Sequence, residues 1–75
     1  MKITYDPEVD ALSITFRETT VTTKELDDGI AADFDADGHL AGIEILDASD
    51  RVGDSDFLRQ VILEGIGLVS QSTHP

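Results

Sequence analysis

IAADFDADGHLAGIEIL, residues 30–46, places two apolar segments on either side of an acidic turn. The turn residues Asp35 to Gly38 are typical of a type I turn whose glycine takes the left-handed conformation, a common three-residue hairpin loop. Such a loop sets Phe34 directly opposite Leu40 across the two arms. The stretch therefore predicts a β-hairpin around which the rest of the chain is organised.

The apolar residues of the second arm fit this hairpin only if the arm contains an irregularity. Strict alternation from Leu40 would turn Ile43 and Ile45 to the opposite face. One extra residue near Ala41–Gly42 removes the conflict, and glycine is the natural occupant of such a β-bulge. The predicted bulge places one apolar set on a single face: Ile30, Ala32, Phe34, Leu40, Ile43 and Ile45. The other face then carries Asp33, Asp35, His39 and Glu44.

The same stretch also satisfies the D-x-D-x-D-G-x5-E pattern of a calcium-binding loop. Its ligand candidates are Asp33, Asp35, Asp37 and Glu44. A calcium loop must bring its last glutamate back to the first aspartate, and helices flank it. Here both flanks are strand-like, and a hairpin would separate Asp37 from Glu44 by roughly 13–17 Å. The hairpin is favoured, no metal or cofactor is assigned, and weak cation binding at the acidic tip stays open.

Three further strands are predicted from alternation and from β-forming residues, at 2–5, 11–16 and 21–26. Asp6 and Pro7 suit the start of a single helical turn between the first two strands. Lys24 and Glu25 would discourage unwanted pairing, so the segment 21–26 is expected at a sheet edge.

The C-terminal part of the sequence predicts one helix, at 55–66. Asp54 or Ser55 could cap it, and an apolar stripe follows: Phe57, Leu58, Val61, Ile62 and Leu63. Beyond it, residues 66–69 could dock as an extended segment, and a frayed tail is expected at 70–75. The predicted fold is α+β: an antiparallel meander of about five strands with the C-terminal helix packed on one face. It forms one small domain, 1–75, whose sheet core spans 1–51.

The composition excludes several functional classes. Sixteen Asp and Glu residues face five Lys and Arg residues, giving a formal net charge of −11. Such a surface repels phosphate backbones, so direct nucleic-acid binding is not expected. The chain has no cysteine, which excludes disulfides and cysteine-based metal sites. No segment predicts a membrane span or a signal peptide, so a soluble cytoplasmic protein is expected. The acidic balance also suits a high-salt cytoplasm.

No catalytic residue is assigned. Asp6, Glu8 and Asp10 form a second acidic cluster that could act as acid and base or hold magnesium. That role needs a concave pocket, which a domain of this size rarely provides, so a capped and solvated turn is the favoured interpretation. His39 is expected to be exposed, and the serines lack a histidine partner for nucleophilic catalysis.

Two motifs carry a resemblance to a known family. YDPEVDALSITF, residues 5–16, and KELDDGIAADFDADGHLAGIEILDAS, residues 24–49, resemble the family catalogued as domain of unknown function 2283. The resemblance covers about residues 1–51 and implies a small β-rich fold without an assigned activity or catalytic residues. Some relatives lie beside toxin-like genes, which implies an antitoxin role for those members.

The apolar residues after position 56 bear on function. They offer more apolar surface than one face of a small sheet needs, and homodimerisation or docking on a partner would bury the excess. A self-contained core is the alternative. The sequence thus favours a non-enzymatic protein-interaction module, homodimeric or neutralising a basic protein such as a toxin. The alternative is a divalent-cation-binding protein, or a small acid–base or metal-dependent enzyme, using an Asp/Glu cluster.

Overall fold

One five-stranded antiparallel sheet dominates the computed structural model, which describes residues 1–66. The strands are β1 (Lys2–Asp6), β2 (Ala11–Thr15), β3 (Thr22–Asp27), β4 (Ile30–Phe34) and β5 (Leu40–Ile45), and one short helix follows, α1 (Ala48–Val52). The mixture of a β-sheet and a helix agrees with the predicted α+β class. The predicted frayed tail and the docking of Leu68 and Val69 lie outside the described residues.

The order of the strands corrects the predicted meander. In the sheet the order is β1-β2-β5-β4-β3, so β2 and β3 follow each other in the chain without pairing. The last strand, β5, lies between β2 and β4. A simple meander would have placed β3 in the middle of the sheet. Its six residues are all exposed, which suits an edge strand and confirms the predicted edge position of this segment.

The central hairpin has the predicted register and the predicted bulge. Phe34 pairs with Leu40, whereas Asp33 pairs with Gly42, so Ala41 is the extra residue of β5. A Cβ atom on Gly42 would lie 3.0 Å from the carbonyl oxygen of Ile14 and 3.1 Å from Oδ2 of Asp33. The position requires glycine because a neighbouring strand and the Asp33 carboxylate occupy the space that a side chain would need.

The register gives the sheet one apolar and one polar face. Residues paired across antiparallel strands share a face. The apolar face carries residues of β1, β2, β4 and β5, namely Ile3, Tyr5, Leu12, Ile14, Ile30, Ala32, Phe34, Leu40, Ile43 and Ile45. The polar face carries Lys2, Thr4, Asp6, Ser13, Thr15, Thr23, Glu25, Asp33 and Glu44. The bulge is what makes this separation possible, since without it Ile43 and Ile45 would lie on the polar side.

The helix lies at Ala48–Val52, so the predicted helix at 55–66 is wrong. The N–H of Ala48 donates to the carbonyl oxygen of Asp10 at 2.9 Å, which fixes the first turn against the β1–β2 connection. Gly53 ends the helix in the left-handed conformation, with φ of 73°, and its N–H donates to carbonyl oxygens of the last turn. Within residues 1–66, no helix is long and apolar enough to cross a membrane.

The segment 55–66 forms a single turn and then continues without regular secondary structure. The N–H of Asp56 donates to Oδ1 of Asp54, as expected of a cap, but only the bonds Phe57 to Asp54 and Arg59 to Asp56 follow. Short helices are marginal in water unless tertiary packing supports them. Here the packing favours an extended path instead, because Phe57 contacts Tyr5 whereas Leu63 and Ile66 lie by Ile3.

The core of the described residues is thin. Its fully buried apolar residues are Ala32, Ala41 and Ala48, and no large side chain is completely buried. The larger residues of the apolar sheet face are half-buried, apart from Ile3 and Leu40, which are exposed. Because burial of large apolar side chains is the main source of folding free energy, this chain depends strongly on polar contacts at the two ends of its sheet.

Candidate functional sites and interaction surfaces

Asp10 is the centre of a polar cluster at one end of the sheet. It has a left-handed backbone, with φ of 54°, which turns its side chain toward α1. Its carboxylate accepts hydrogen bonds from the Tyr5 hydroxyl at 2.6 Å, from the Ser49 hydroxyl at 2.8 Å and from the Ser49 N–H at 3.0 Å. The Tyr5 hydrogen bond is the main cause that lowers the pKa of Asp10, and the same bond raises the pKa of Tyr5.

Arg51 connects the same helix to the β3–β4 turn. Its Nε atom donates to the carbonyl oxygen of Leu46 at 2.9 Å, and its Nη2 atom donates to the carbonyl oxygen of Asp28. The helix therefore contacts two turns at one end of the sheet, the β1–β2 turn through Asp10 and the β3–β4 turn through Asp28. This arrangement holds the two turns and the helix together at that end of the sheet.

The sequence had suggested that Asp6, Glu8 and Asp10 form one solvated acidic turn. The structure separates their roles. Oδ1 of Asp6 accepts the N–H of Glu8 at 3.0 Å, as expected of a capping residue, whereas Asp10 faces the helix. The importance of Ser49 was missed because its partner lies 39 positions earlier in the sequence. The only signal was that Asp10 and Ser49 each lie in one of the two motifs that carry the family resemblance.

Asp35 forms a second polar cluster, at the opposite end of the sheet. Its Oδ1 atom accepts the N–H groups of Asp37 at 2.9 Å and of His39 at 2.8 Å. Its Oδ2 atom accepts from Nη2 of Arg17 at 2.5 Å, and the Asp35 side chain is only 3% exposed. The His39 N–H is the main cause that lowers the pKa of Asp35. This carboxylate shapes the hairpin turn and ties it to the segment after β2.

The structure divides the four calcium-ligand candidates between two places. Asp35 and Asp37 share one group with His39, in which one ligand atom of each residue lies within 4.8 Å of the others. Asp33 and Glu44 meet on the polar face of the sheet. The Asp35 oxygens already accept hydrogen bonds from the protein itself, and His39 is largely exposed, as predicted. The hairpin thus accounts for the acidic pattern, and we assign no metal to it.

Asp33 and Glu44 form a carboxyl pair across the β4–β5 ladder. Asp33 accepts a hydrogen bond from the Thr23 hydroxyl at 2.6 Å. A hydrogen bond with Asp33 is the main cause that raises the pKa of Glu44, and burial and charge repulsion act in the same direction. A shallow groove of about 260 Å³ passes beside Glu44 and is lined also by Glu25, Ala31 and Leu46.

We expect Glu44→Gln to stabilise the protein at neutral pH. Glu44 has a raised pKa in the folded protein. Its contribution to the free energy of unfolding is therefore most favourable below its unfolded pKa of about 4.3, and it is lost as pH rises through the folded value. The melting temperature of Glu44→Gln should exceed that of the wild type slightly at pH 7, because Glu44 is exposed and solvent screens the repulsion, and the difference should vanish below about pH 4. Thermal unfolding followed by circular dichroism measures both values.

The control for this prediction is Glu25→Gln. Glu25 lies on the same sheet face and its replacement changes the net charge by the same amount. If Glu25→Gln raised the melting temperature at pH 7 as much as Glu44→Gln, the effect would come from net charge, and the carboxyl pair would have no special role.

Exposed apolar side chains gather where β1 meets the C-terminal segment. Met1, Ile3, Leu63 and Ile66 line a groove of about 540 Å³, which we call the β1 groove. Ile62 and Leu63 are 70% and 67% exposed. Contiguous apolar surface of this kind marks interaction sites more often than single exposed residues do.

The comparison with protein families identifies the chain. Residues 2–49 match the family described as "Protein of unknown function (DUF2283)". The chain belongs to the DUF2283 family. The match covers the whole sheet and the first residues of α1, and it confirms the resemblance seen in the two sequence motifs.

A curated relative carries no assigned activity either. An uncharacterised protein of Methanocaldococcus jannaschii is 40% identical to this chain over 75 residues, covering 95% of the chain. The chain spans 64% of the length of that relative. No solved structure matches the chain.

The structure gives the two DUF2283 motifs of this chain a common physical meaning. The first supplies Tyr5 and Asp10, and the second supplies Ala48 and Ser49. These residues meet in the cluster around the Asp10 carboxylate. The residues shared with the family pattern therefore build the fold, which directs the search for function to the surfaces that the fold leaves uncovered.

Proposed function

We propose that this DUF2283 protein is a non-enzymatic protein-interaction module that binds a basic protein. The observation that carries the proposal is the exposed apolar segment after α1, in which Val61, Ile62 and Leu63 are 56–70% exposed. Fully burying such a side chain contributes about 1.5–3 kcal/mol to stability. In the isolated chain these residues stay exposed, so little of that free energy is gained. A protein partner would supply the missing burial.

Charge points to the nature of the partner. The chain as a whole carries a net charge of −11, which attracts basic proteins and speeds their encounter. An apolar centre with a charged rim is the usual anatomy of a protein interface. An antitoxin-like role, in which the chain covers a basic toxin, is one form that such binding would take.

The polar clusters support a binding role over an enzymatic one. Asp10 and Asp35 make hydrogen bonds within the protein that hold both ends of the sheet. Asp33 and Glu44 lie on an open sheet face. A general acid or base needs a substrate held within hydrogen-bond reach, and these carboxylates are either engaged or lie beside shallow grooves.

Affinity capture tests the proposal. Tagged full-length chain is incubated with a lysate of the source organism, and the captured protein is identified, purified and bound again in isolation. We expect a basic partner whose affinity falls at least tenfold with Ile62→Ser/Leu63→Ser, since two apolar contacts are lost.

The matched control is Gln60→Ser, which changes a neighbouring exposed residue without removing apolar surface or altering the net charge. Equal capture by wild type, by the double variant and by this control would contradict binding through the apolar segment. Capture of no basic protein by the wild type would contradict the proposed partner.

A further inference from the structure

The outer edge of β1 is open. β1 is the first strand in the sheet order, so only β2 pairs with it. Lys2, Ile3 and Thr4 are exposed, and among residues 1–66 no backbone hydrogen bond joins the C-terminal segment to this strand. An uncovered edge strand is a template for pairing with another chain.

The hydrogen-bond pattern shows which β1 residues face outward. The N–H of Phe16 donates to the carbonyl oxygen of Ala41, so even-numbered residues of β2 turn their backbone groups toward β5. Backbone groups alternate sides along an antiparallel strand, so Ser13 faces β1 and bonds its partner Thr4. The outward backbone groups of β1 are therefore those of Ile3 and Tyr5.

The opposite edge of the sheet is protected. β3 has a register shift between Glu25 and Asp27, so Leu26 forms a bulge in that edge. Lys24 and Glu25 add charges of both signs beside it. Bulges and charged residues both discourage edge pairing. β1 has no register irregularity against β2, which leaves it the better template of the two edges.

We propose that two copies of the chain associate through their β1 strands, antiparallel and centred on Thr4. This inference goes beyond the proposed function, because a second copy carries the same net charge of −11 and is not the basic partner proposed above. In this register, Ile3 of each copy faces Tyr5 of the other and exchanges both backbone hydrogen bonds with it. The two sheets become one continuous sheet about a twofold axis.

Charge complementarity selects this register. Centring on Thr4 sets Lys2 opposite Asp6 of the second copy, twice by symmetry, on the polar face. Both pairs lie at positions without direct backbone bonds, where side chains approach most closely. Shifting the centre to Ile3 or Tyr5 shortens the ladder and removes both opposite-charge pairs.

The apolar face gains contacts in the same arrangement. Tyr5 stacks edge-on against Phe57, with ring centroids 5.6 Å apart. Because Tyr5 of one copy faces Ile3 of the other, this aromatic pair is brought to the β1 groove of the second copy. The groove, which is open in the single chain, then lies at the junction of the two sheets.

Sedimentation velocity over a concentration series tests the association with the full-length chain. The wild type should be a dimer. Ile3→Pro should raise the dissociation constant of the dimer at least tenfold, because proline removes an outward N–H without breaking a bond to β2. Glu25→Pro is the control, since by the same alternation its N–H points outward from the other edge. It should leave the dimer intact.

A charge exchange tests the register. Lys2→Asp and Asp6→Lys should each weaken the dimer by roughly tenfold, and the double variant Lys2→Asp/Asp6→Lys should restore it. Circular dichroism confirms that each variant is folded. No restoration in a folded double variant would overturn the register.

The two proposals fail in different ways. A wild type that stays monomeric, yet captures a basic partner, overturns the β1 dimer and leaves the proposed function standing. A wild-type dimer that Ile3→Pro dissociates, and that captures no other protein, supports the β1 pairing and removes the proposed basic partner.

Discussion

Replacing Asp10 with alanine is expected to lower the melting temperature by roughly 15 °C, the largest effect of any single substitution that we foresee. The change removes the acceptor for the Tyr5 hydroxyl and for both donors of Ser49. It also leaves alanine at a φ of 54°, a conformation that residues with a Cβ atom adopt reluctantly. Thermal unfolding followed by circular dichroism measures the change.

Two further substitutions at the same position separate these causes. Glycine relieves the backbone strain but leaves Tyr5 and Ser49 without their acceptor, so Asp10→Gly should be more stable than Asp10→Ala and less stable than the wild type. Asparagine tolerates the left-handed conformation and keeps one acceptor oxygen, so Asp10→Asn should lose only about 5 °C.

The pH dependence provides an independent check on Asp10. Its pKa is lowered in the folded protein, chiefly by the Tyr5 hydroxyl, so its contribution is present above the unfolded pKa of about 3.9 and is lost as pH falls through the folded value. The difference between wild type and Asp10→Asn should shrink over that acidic range. Tyr5, whose pKa is raised, contributes below about pH 10 and loses its contribution as pH rises further.

Glu8→Ala is the control because it removes an exposed carboxylate from the same turn. If Asp10→Ala melted within about 2 °C of Glu8→Ala, the cluster around Asp10 would not be a main source of stability.

The hairpin and its bulge could be predicted because their determinants are local. Gly38 suits the turn, and the spacing between Leu40 and Ile43 has no regular solution, so an extra residue near Gly42 was the only way to keep one apolar face. The structure shows that face and adds a reason that sequence could not give. The carbonyl oxygen of Ile14, from another strand, excludes a side chain at Gly42.

The strand order was wrong although the information to improve it was present. An edge position for residues 21–26 and a meander of five strands are incompatible, because a meander makes the third strand central. The polar composition of β3 favoured the edge. If the polar composition of β3 had decided its position at the edge, β2 could not have paired with β3. The second neighbour of β2 would then have been another strand, and the apolar residues of β5 made that strand the suitable partner.

The helix was misplaced because its stabilising contacts are distant in sequence. Ala48 and Ser49 depend on Asp10, 38 and 39 positions earlier, and no local pattern reports that contact. Val61, Ile62 and Leu63 are consecutive apolar residues, which do not make the spaced stripe of a surface helix. In the structure they are exposed and lie outside any helix.

Asp35 gives the second large expected effect. Asp35→Ala should lower the melting temperature by roughly 10 °C, because the N–H groups of Asp37 and His39 lose the buried oxygen that they share. Asp35→Asn keeps an acceptor for those groups but replaces the Oδ2 atom with an amide nitrogen, so the hydrogen bond and the attraction to Arg17 are lost. That side chain is 63% exposed, so solvent screens the ion pair and the asparagine variant should lose much less.

The sign of the pH dependence follows from the lowered pKa of Asp35. Its contribution is present above the unfolded pKa of about 3.9 and is lost as pH falls through the lower folded value. The melting temperatures of wild type and Asp35→Asn should therefore converge in acid. Arg17→Ala should resemble Asp35→Asn near neutral pH, since each removes one partner of the same ion pair.

Asp37→Asn is the matched control, because it removes an exposed carboxylate from the tip of the same turn while the Asp37 N–H stays available to Asp35. It should melt close to the wild type. If Asp37→Asn and Asp35→Ala were equally destabilising, the loss would reflect charge at the tip, and the buried acceptor of Asp35 would not be what holds the hairpin turn. A large loss confined to Asp35→Ala would show that the hairpin requires the buried acceptor of Asp35, whatever the charge at the tip of the turn.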